Sequence, residues 1–491
     1  DHLTQTLGVN AIWLMPIMES PSYHGYDITD FKKVRAEYGG NAAFLRFMAE
    51  AKKRNIRVIL DLVPNHCSWQ HPWFKEAVRP GSAKHDWFVW QKTKPTWKGP
   101  WNQEVWHPWP ASRPEGPGGD LEGSQGYYYG IFWKGMPDLN YRNPEVTAAM
   151  NDVVKWWMLD PRDGGGGGVD GYRIDAIRHL IEEGQQQEST AATHEWLQGF
   201  HKSYKAVKKD AFTVGEVWAD TAQVLPYIGH ELDSCFEFHT AYATIDAIND
   251  GARGKLDAQW ETNLSRYPRG QYSTFLSNHD QERVMSRFGG GDAGSTASPA
   301  DAWAKSKLAA TLLLTSPGIP FIYYGEEIGM TGKKPDEDIR TPMQWSSGRT
   351  AGFTTGEKTW RPVNKDAPGK NVDAQQKDPL SLLNLYKKLI RLRRENDALS
   401  VGTMALLETS APQVYAFARE QPGTDSRFVV VANLSGRKVR DYGVKLPQGF
   451  ADATARVSEE LSGVEIKKPG AQTWKPTDDL PARGVLVIRL K

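Results

Sequence analysis

The chain has 491 residues, enough for roughly two to four domains and at least one large core, and its 39% hydrophobic and 24% charged residues describe an ordinary globular protein. Lys plus Arg is 60 against 59 for Asp plus Glu; a net charge of +1 gives no electrostatic basis for a nucleic-acid partner or an anionic membrane surface. Two cysteines, Cys67 and Cys235, exclude a disulfide framework and a Cys-based zinc site, and read as buried free thiols.

Residues 2–8 read as the end of a helix, and the opening on Asp1 as a start at a processing site or inside a longer protein. Residues 9–15 form a continuous apolar run of strand length, stopped by Pro16. Residues 41–53 have helical periodicity, with Phe44, Leu45, Phe47 and Met48 on one face, and lead into a second apolar strand over 56–63. Strand, helix, strand with both strands fully apolar predicts a parallel sheet covered by helices. From His66 to about Asn140 the regularity stops and Trp, Pro and Gly accumulate, as in Pro95-Thr96-Trp97-Lys98-Gly99-Pro100-Trp101. So long an irregular stretch predicts an inserted functional domain overhanging one end of the sheet.

Alternation then resumes. A helix over 148–159, a strand over 169–175 running into helix-like residues 176–180, a helix over 193–208, and strands over 212–217, 232–238, 272–277 and 319–324 bring the parallel strands to seven. Eight close the common βα barrel, so the first barrel strand is expected upstream of Asp1. The apolar run 308–324 is interrupted by Thr315-Ser316-Pro317-Gly318 and Pro320 and cannot be one membrane span. After a helix over 380–394, short alternating runs separated by Gly, Pro, Asp and Ser predict an antiparallel β domain. The expected organisation is a barrel over 1–65 and 141–398, the insertion over 66–140 and the β domain over 399–491.

The chemistry gathers at predicted strand ends. In Gly168-Val169-Asp170-Gly171-Tyr172-Arg173-Ile174-Asp175, alternate residues share a face, so Arg173 and Asp175 point the same way and the guanidinium keeps the carboxylate ionised. Taken alone this pair reads equally well as a structural ion pair. Three further stretches occupy equivalent places: Asp61-Leu62-Val63-Pro64-Asn65-His66, Val214-Gly215-Glu216-Val217, and Phe275-Leu276-Ser277-Asn278-His279-Asp280. In a βα barrel these ends converge, which predicts that Asp175, Glu216 and Asp280 face one cavity and that at least one of them has a raised pKa. Paired carboxylates of this kind fit glycoside hydrolysis; a divalent metal held by carboxylates and histidine is the alternative. The neighbouring Asn and His residues offer neutral hydrogen bonds to hydroxyls, and 19 Trp and 18 Tyr offer flat faces that suit sugar rings as well as ordinary cores.

Together these stretches resemble the four signature regions of the α-amylase family, glycoside hydrolase family 13, and Met136-Pro137-Asp138-Leu139-Asn140 resembles its fifth. Met136 at the head of that region is similar to the group intermediate between α-amylases or neopullulanases and oligo-1,6-glucosidases. The resemblance implies a (β/α)8 TIM barrel with an inserted domain B and a C-terminal antiparallel β-sandwich. It implies Asp175 as nucleophile, Glu216 as acid/base, and Asp280 as a third carboxylate that binds ring hydroxyls. It further implies that Arg173 orients the nucleophile, that His66 and His279 bind the sugar in subsite −1, and that Tyr26 stacks under that sugar with His24 nearby. A retaining enzyme of this kind holds its two carboxyls about 5–5.5 Å apart.

Specificity follows from departures within the resemblance. The aspartate that clamps the chain end in exo-acting α-glucosidases is replaced here by Tyr23, although Arg340 resembles that aspartate's partner. The expectation is internal cleavage of α-1,4 links in starch and maltodextrins. Exo-acting α-glucosidase, oligo-1,6-glucosidase or transglycosylase action is the nearest alternative, and a noncatalytic barrel of the binding or transporter-accessory kind the alternative of another class. No organic cofactor is expected. Asn65 and the backbone carbonyl of His179 resemble ligands of a family calcium ion, whereas the stretch from Asn65 to Phe74 resembles members that lack it. An α-glucan substrate, a monomer, no nucleic acid and no membrane span are expected, with a secreted or cell-envelope location slightly favoured over a cytoplasmic one.

Overall fold

In the computed structural model, residues 1–109, 126–290, 298–451, 455–469 and 473–490 are described. The chain divides into two compact units. One comprises Val9–Trp218 with Pro226–Phe236; the other comprises Asp1–Gly8, Ala219–Leu225 and Glu237–Lys491.

In the first unit five parallel strands lie side by side in chain order: Ala11–Leu14, Arg57–Leu62, Gly171–Ile174, Phe212–Gly215 and Ser234–Phe236. Five of the six residues of Arg57–Leu62 and all four of Gly171–Ile174 are buried, as expected of strands covered on both faces. The helices Gly40–Lys53, Pro144–Met158 and Ala191–Val207 alternate with the strands. Asn143 starts the second of these by accepting the Glu145 N–H, with Pro144 in the first turn where its missing N–H is harmless. Its buried stripe, Val146, Met150, Val153, Val154 and Trp157, follows the helical period. The Tyr172 hydroxyl donates to the Val154 carbonyl at 2.8 Å and so fixes the third strand against this helix.

The irregular stretch carries a three-stranded antiparallel sheet in which Gly126–Tyr129 lies between Trp90–Gln91 and Trp106–Trp109. Val105, Trp106, Tyr129 and Ile131 form its small core. Of the insertion expected over 66–140, residues 110–125 lie outside the described residues.

In the second unit Tyr272–Thr274 and Ile319–Pro320 pair in parallel, among the helices Phe238–Asp250, Gly254–Arg266, Pro299–Thr315 and Leu382–Arg394. Arg393 donates to the carbonyls of Leu314, Ser316 and Gly318, satisfying the end of the third helix and the turn into Ile319–Pro320. The C-terminal part is a five-stranded antiparallel sheet with the order Thr403–Leu406, Val414–Glu420, Arg427–Asn433, Val485–Leu490, Val457–Glu459. Val439, Tyr442, Val444, Trp474 and Leu480 complete its core, with single bridges between Val444 and Trp474 and between Val439 and Leu480.

Several sequence expectations need correction. Residues 176–180 do not continue the third strand into a helix: Ala176 is left-handed at φ 50°, Ile177–His179 is one 3-10 turn, and the α-helix begins at Ala191. The strand expected over 232–238 ends at Phe236 because the Glu237 carboxylate caps a helix there, accepting the Thr240 N–H. The apolar run 308–324 is the end of the helix Pro299–Thr315 followed by a two-residue strand. Among the described residues no helix is long and apolar enough to cross a membrane.

Candidate active site

In the first unit the organising group is the Arg173 guanidinium. Register explains why. Arg173 sits directly beside Asp61 on the neighbouring parallel strand, so the two side chains emerge on the same face. Arg173 Nη1 donates to Asp61 Oδ1 at 2.9 Å, to Asp61 Oδ2 at 3.1 Å and to Asp175 Oδ1 at 2.7 Å, and Nη2 meets Glu216 Oε2 at 2.7 Å. One planar fork thus gathers three carboxylates, each contact a charge-assisted hydrogen bond. Asp61 is fully buried and Arg173 nearly so, while Asp175 and Glu216 retain 10% and 17% of their side-chain exposure, leaving the latter two reachable from outside.

The strand ends place the two reachable carboxylates. Asp175 follows Gly171–Ile174 and its N–H donates to Leu62 O at 2.9 Å; Glu216 follows Phe212–Gly215 and its N–H donates to Ile174 O at 3.0 Å. The left-handed turn at Ala176 directs that residue's N–H onto Glu216 Oε2 at 3.2 Å. What breaks the expected helix therefore supplies a donor to Glu216.

Tyr26 and Trp13 close the cluster. The Tyr26 hydroxyl and Trp13 Nε1 donate to Asp61 Oδ2 at 3.1 and 3.2 Å, and the guanidinium stands 5.1 Å over the Trp13 ring and 5.8 Å over the Tyr26 ring. His24 Nδ1 accepts the Tyr26 N–H at 3.1 Å and its ring stacks toward Tyr26. Burial pushes the Asp61 carboxyl up from its usual range, the Arg173 charge and hydrogen bonds oppose this, and the Glu216 charge adds to the rise. Burial lowers the His66 pKa to about 3, so this histidine is neutral at physiological pH. Its Nε2 is buried without a hydrogen-bond partner in the protein, as a group meant for a ligand hydroxyl would be.

The second unit holds the remaining predicted residues. Asp280 Oδ1 accepts from Arg340 Nη2 at 2.9 Å, and Oδ2 lies 3.1 Å from Nε2 of the buried His279. Arg340 also donates to the His279 carbonyl at 2.9 Å and to Asp336 Oδ2 at 3.1 Å, so it fixes both the backbone and the carboxylate of this motif. Asn278 Oδ1 accepts the Asp280 N–H at 2.9 Å.

Asp61, Trp13 and Asp336 are site components that the sequence reading passed over. Asp61 heads the strand-end stretch 61–66, and pairing the alternation of its strand with that of Gly171–Ile174 places it beside Arg173. Asp336 carried no such signal.

Asn65 and the backbone carbonyl of His179 carry the calcium expectation. Asn65 uses its amide nitrogen to bind Asp138 Oδ2 at 3.1 Å, and Asp138 Oδ1 accepts the Ile131 N–H at 3.1 Å. Burial drives the Asp138 pKa up, favouring a neutral carboxyl, and His179 Nδ1 is engaged with the Gln187 carbonyl. The buried Asn65 Oδ1 has no hydrogen-bond partner in the protein. Calcium takes about six to eight oxygen ligands. Among the described residues there is no group of three or more His, Cys, Asp or Glu that could hold a metal ion.

Similarity to known proteins agrees with the geometry. The chain is 35% identical over 438 residues to alpha-amylase 3 of Dictyoglomus thermophilum, covering 88% of this chain and 78% of that protein. It is 31% identical to the oligo-1,6-glucosidase of Parageobacillus thermoglucosidasius, covering 97% and 93%. The crystal structure of the α-amylase from H. orenii superposes with a TM-score of 0.81 at 33% identity, covering 99% of this chain and 91% of that one. The fold is accordingly of the TIM-barrel type, with seven parallel strands among the described residues and a C-terminal antiparallel domain. A family model described as the alpha-amylase catalytic domain matches residues 2–402, so strand order, carboxylate placement and sequence similarity converge, and the chain belongs to the α-amylase family, glycoside hydrolase family 13.

Proposed function

We propose that this family 13 glycosidase is a retaining, endo-acting α-glucan hydrolase that cleaves α-1,4-glucosidic bonds of starch and maltooligosaccharides. Asp175 attacks the anomeric carbon while Glu216 protonates the departing glycosidic oxygen; Glu216 then takes a proton from the water that releases the glycosyl-enzyme. The observation that carries this reading is the sharing of one guanidinium by Asp175 and Glu216. A single fork favours the close carboxyl spacing of a retaining pair over the roughly 6.5–9.5 Å that an inverting pair needs for its water. It also orients the nucleophile, while burial and the Glu216 charge push the Asp61 carboxyl of the same cluster up.

Asp280, fixed by Arg340, is assigned the role of third carboxylate. His66 and His279 are assigned to sugar hydroxyls, and the Tyr26 ring to the sugar face with His24 behind it. The position three residues before Tyr26 carries Tyr23, 41% exposed and uncharged, which supports a glucan running through rather than a clamped chain end. Exo-action on short α-glucans is the second reading, favoured by Arg340 and by similarity to an oligo-1,6-glucosidase.

Asp175→Asn and Glu216→Gln should each lower turnover of soluble starch by about 10²–10⁴-fold or more. Proton NMR of the first products should show the α-anomer, and a timed profile from maltoheptaose should show several maltooligosaccharides from the start. Normal turnover in either variant, or a β-anomer, would overturn the mechanism; early glucose as the main product would replace endo-action by exo-action.

A further inference from the structure

Trp101 is 58% exposed, an unusual position for the largest apolar side chain, and yet the loop that presents it is tightly held. The Gln103 side chain accepts the Trp101 N–H at 2.9 Å and donates to the Ile131 carbonyl at 2.9 Å, so one glutamine fixes both Trp101 and the residue preceding Phe132. Asn102, left-handed at φ 63°, turns the chain, and its N–H donates to the Gly99 carbonyl at 2.9 Å. The Trp101 and Phe132 rings stack with centroids 5.8 Å apart and planes 28° from parallel. The His179 ring supports both edge-on, at 5.4 and 6.1 Å, and is itself fixed through the Gln187 carbonyl. Gln187 in turn donates to the Lys98 carbonyl at 2.8 Å, tying the same loop from the other side.

This arrangement does not read as a side chain filling its own loop, because hydrogen bonds from Gln103 and Gln187 hold the loop while more than half of Trp101 stays open. The ledge leads somewhere: Phe132 meets the His66 ring at 5.1 Å, and His66 carries the buried, unpartnered Nε2 of the candidate site. Glu104 stands 2.9 Å from Lys94 and 3.5 Å from Lys98, so both nearby ammonium groups are engaged by one carboxylate.

We infer that Trp101 and Phe132 form an outer platform for the same α-glucan chain, continuous with His66, on which glucosyl units beyond the reacting one stack their apolar C–H faces. The inference rests on the proposed glucan hydrolysis and adds a chain-length preference set by Trp101. A rigid aromatic pair loses little conformational freedom when a sugar lands on it, so most of its contact energy reaches affinity.

The test compares maltotriose with maltoheptaose in the unaltered protein, Trp101→Ala and Trp101→Phe. Trp101→Ala should lose about tenfold in kcat/KM on maltoheptaose, through KM, with kcat within about twofold and maltotriose unaffected. Trp101→Phe should recover most of that loss, and the unfolding midpoint of both variants should match the unaltered protein. Equal losses on both substrates, or no loss on either, would overturn the platform while leaving the hydrolase reading intact. If the unaltered protein hydrolyses neither substrate, the underlying reading falls and the platform falls with it.

Discussion

Arg173 faces Asp61, Asp175 and Glu216 at once, with its side chain 2% exposed. Coulomb attraction is strong there because water is excluded, and for the same reason desolvation makes an unpaired charge costly. Arg173→Ala would leave three carboxylates facing one another and should cost about 3–5 kcal/mol, enough to compromise folding. Arg173→Lys is the informative change. An ammonium keeps the charge but cannot span Asp175 and Glu216 as a planar fork does. It should fold with a lowered midpoint and lose about 10²-fold in kcat, because a displaced nucleophile loses its attack geometry. Calorimetry and steady-state kinetics on the lysine variant decide this; an unchanged kcat would show that charge alone suffices. The Arg173–Asp175 pair was legible because a two-residue step along a strand returns to the same face. The Asp61 contact was not, because it depends on register between strands 112 residues apart.

At the scale of elements, the strands stand close enough that glycine decides whether they pair. At Gly171, φ is 151°, and an added Cβ would lie 1.8 Å from the Phe212 carbonyl oxygen and 2.8 Å from its nitrogen, on the strand that delivers Glu216. Neither backbone atom can yield without breaking the pairing. Gly171→Ala should therefore cost more than about 3 kcal/mol, seen as a lower urea midpoint, with reduced kcat in whatever fraction folds. A variant as stable as the unaltered protein would show that the two strands can separate freely. The glycine run before Val169 has a packing reason. A Cβ at Gly165 would strike the Leu159 carbonyl, at Gly166 the Trp156 ring, and at Gly167 the Phe44 ring. Strand positions were legible because strands buried on both faces read as unbroken apolar runs. The turn at Ala176 was not, since alanine carries no mark of a left-handed conformation and only the Glu216 carboxylate rewards it.

Over the whole molecule, buried ionisable groups set how stability follows pH, and burial arises from partners distant in sequence. Glu326 is an example: Tyr386, 60 residues away, donates to Oε1 at 2.7 Å, and Ser277 donates to Oε2 at 3.0 Å. Burial raises its pKa to about 7 in spite of these hydrogen bonds, with the Glu327 charge adding to the rise. Between its ordinary value of 4.5 and about 7 the folded state holds a proton that the unfolded state has released. This group's stabilising effect is thus fully present below pH 4.5 and is lost as pH rises through 7. At 1.36 kcal/mol per pKa unit the loss is roughly 3 kcal/mol by pH 8. His66 and His71 act in the opposite direction: burial lowers both to about 3, so their contribution is present above pH 6.5 and is lost on acidification. Glu326→Gln separates these effects. The amide keeps the shape, accepts from Tyr386, donates to Ser277 and cannot ionise, while the histidines are common to both proteins and cancel in the comparison. The variant's stability relative to the unaltered protein, measured by urea unfolding at pH 4.5, 6 and 8, should therefore rise by roughly 3 kcal/mol across the series. A difference that stays constant with pH would mean that Glu326 ionises as freely in the folded chain as in the unfolded one.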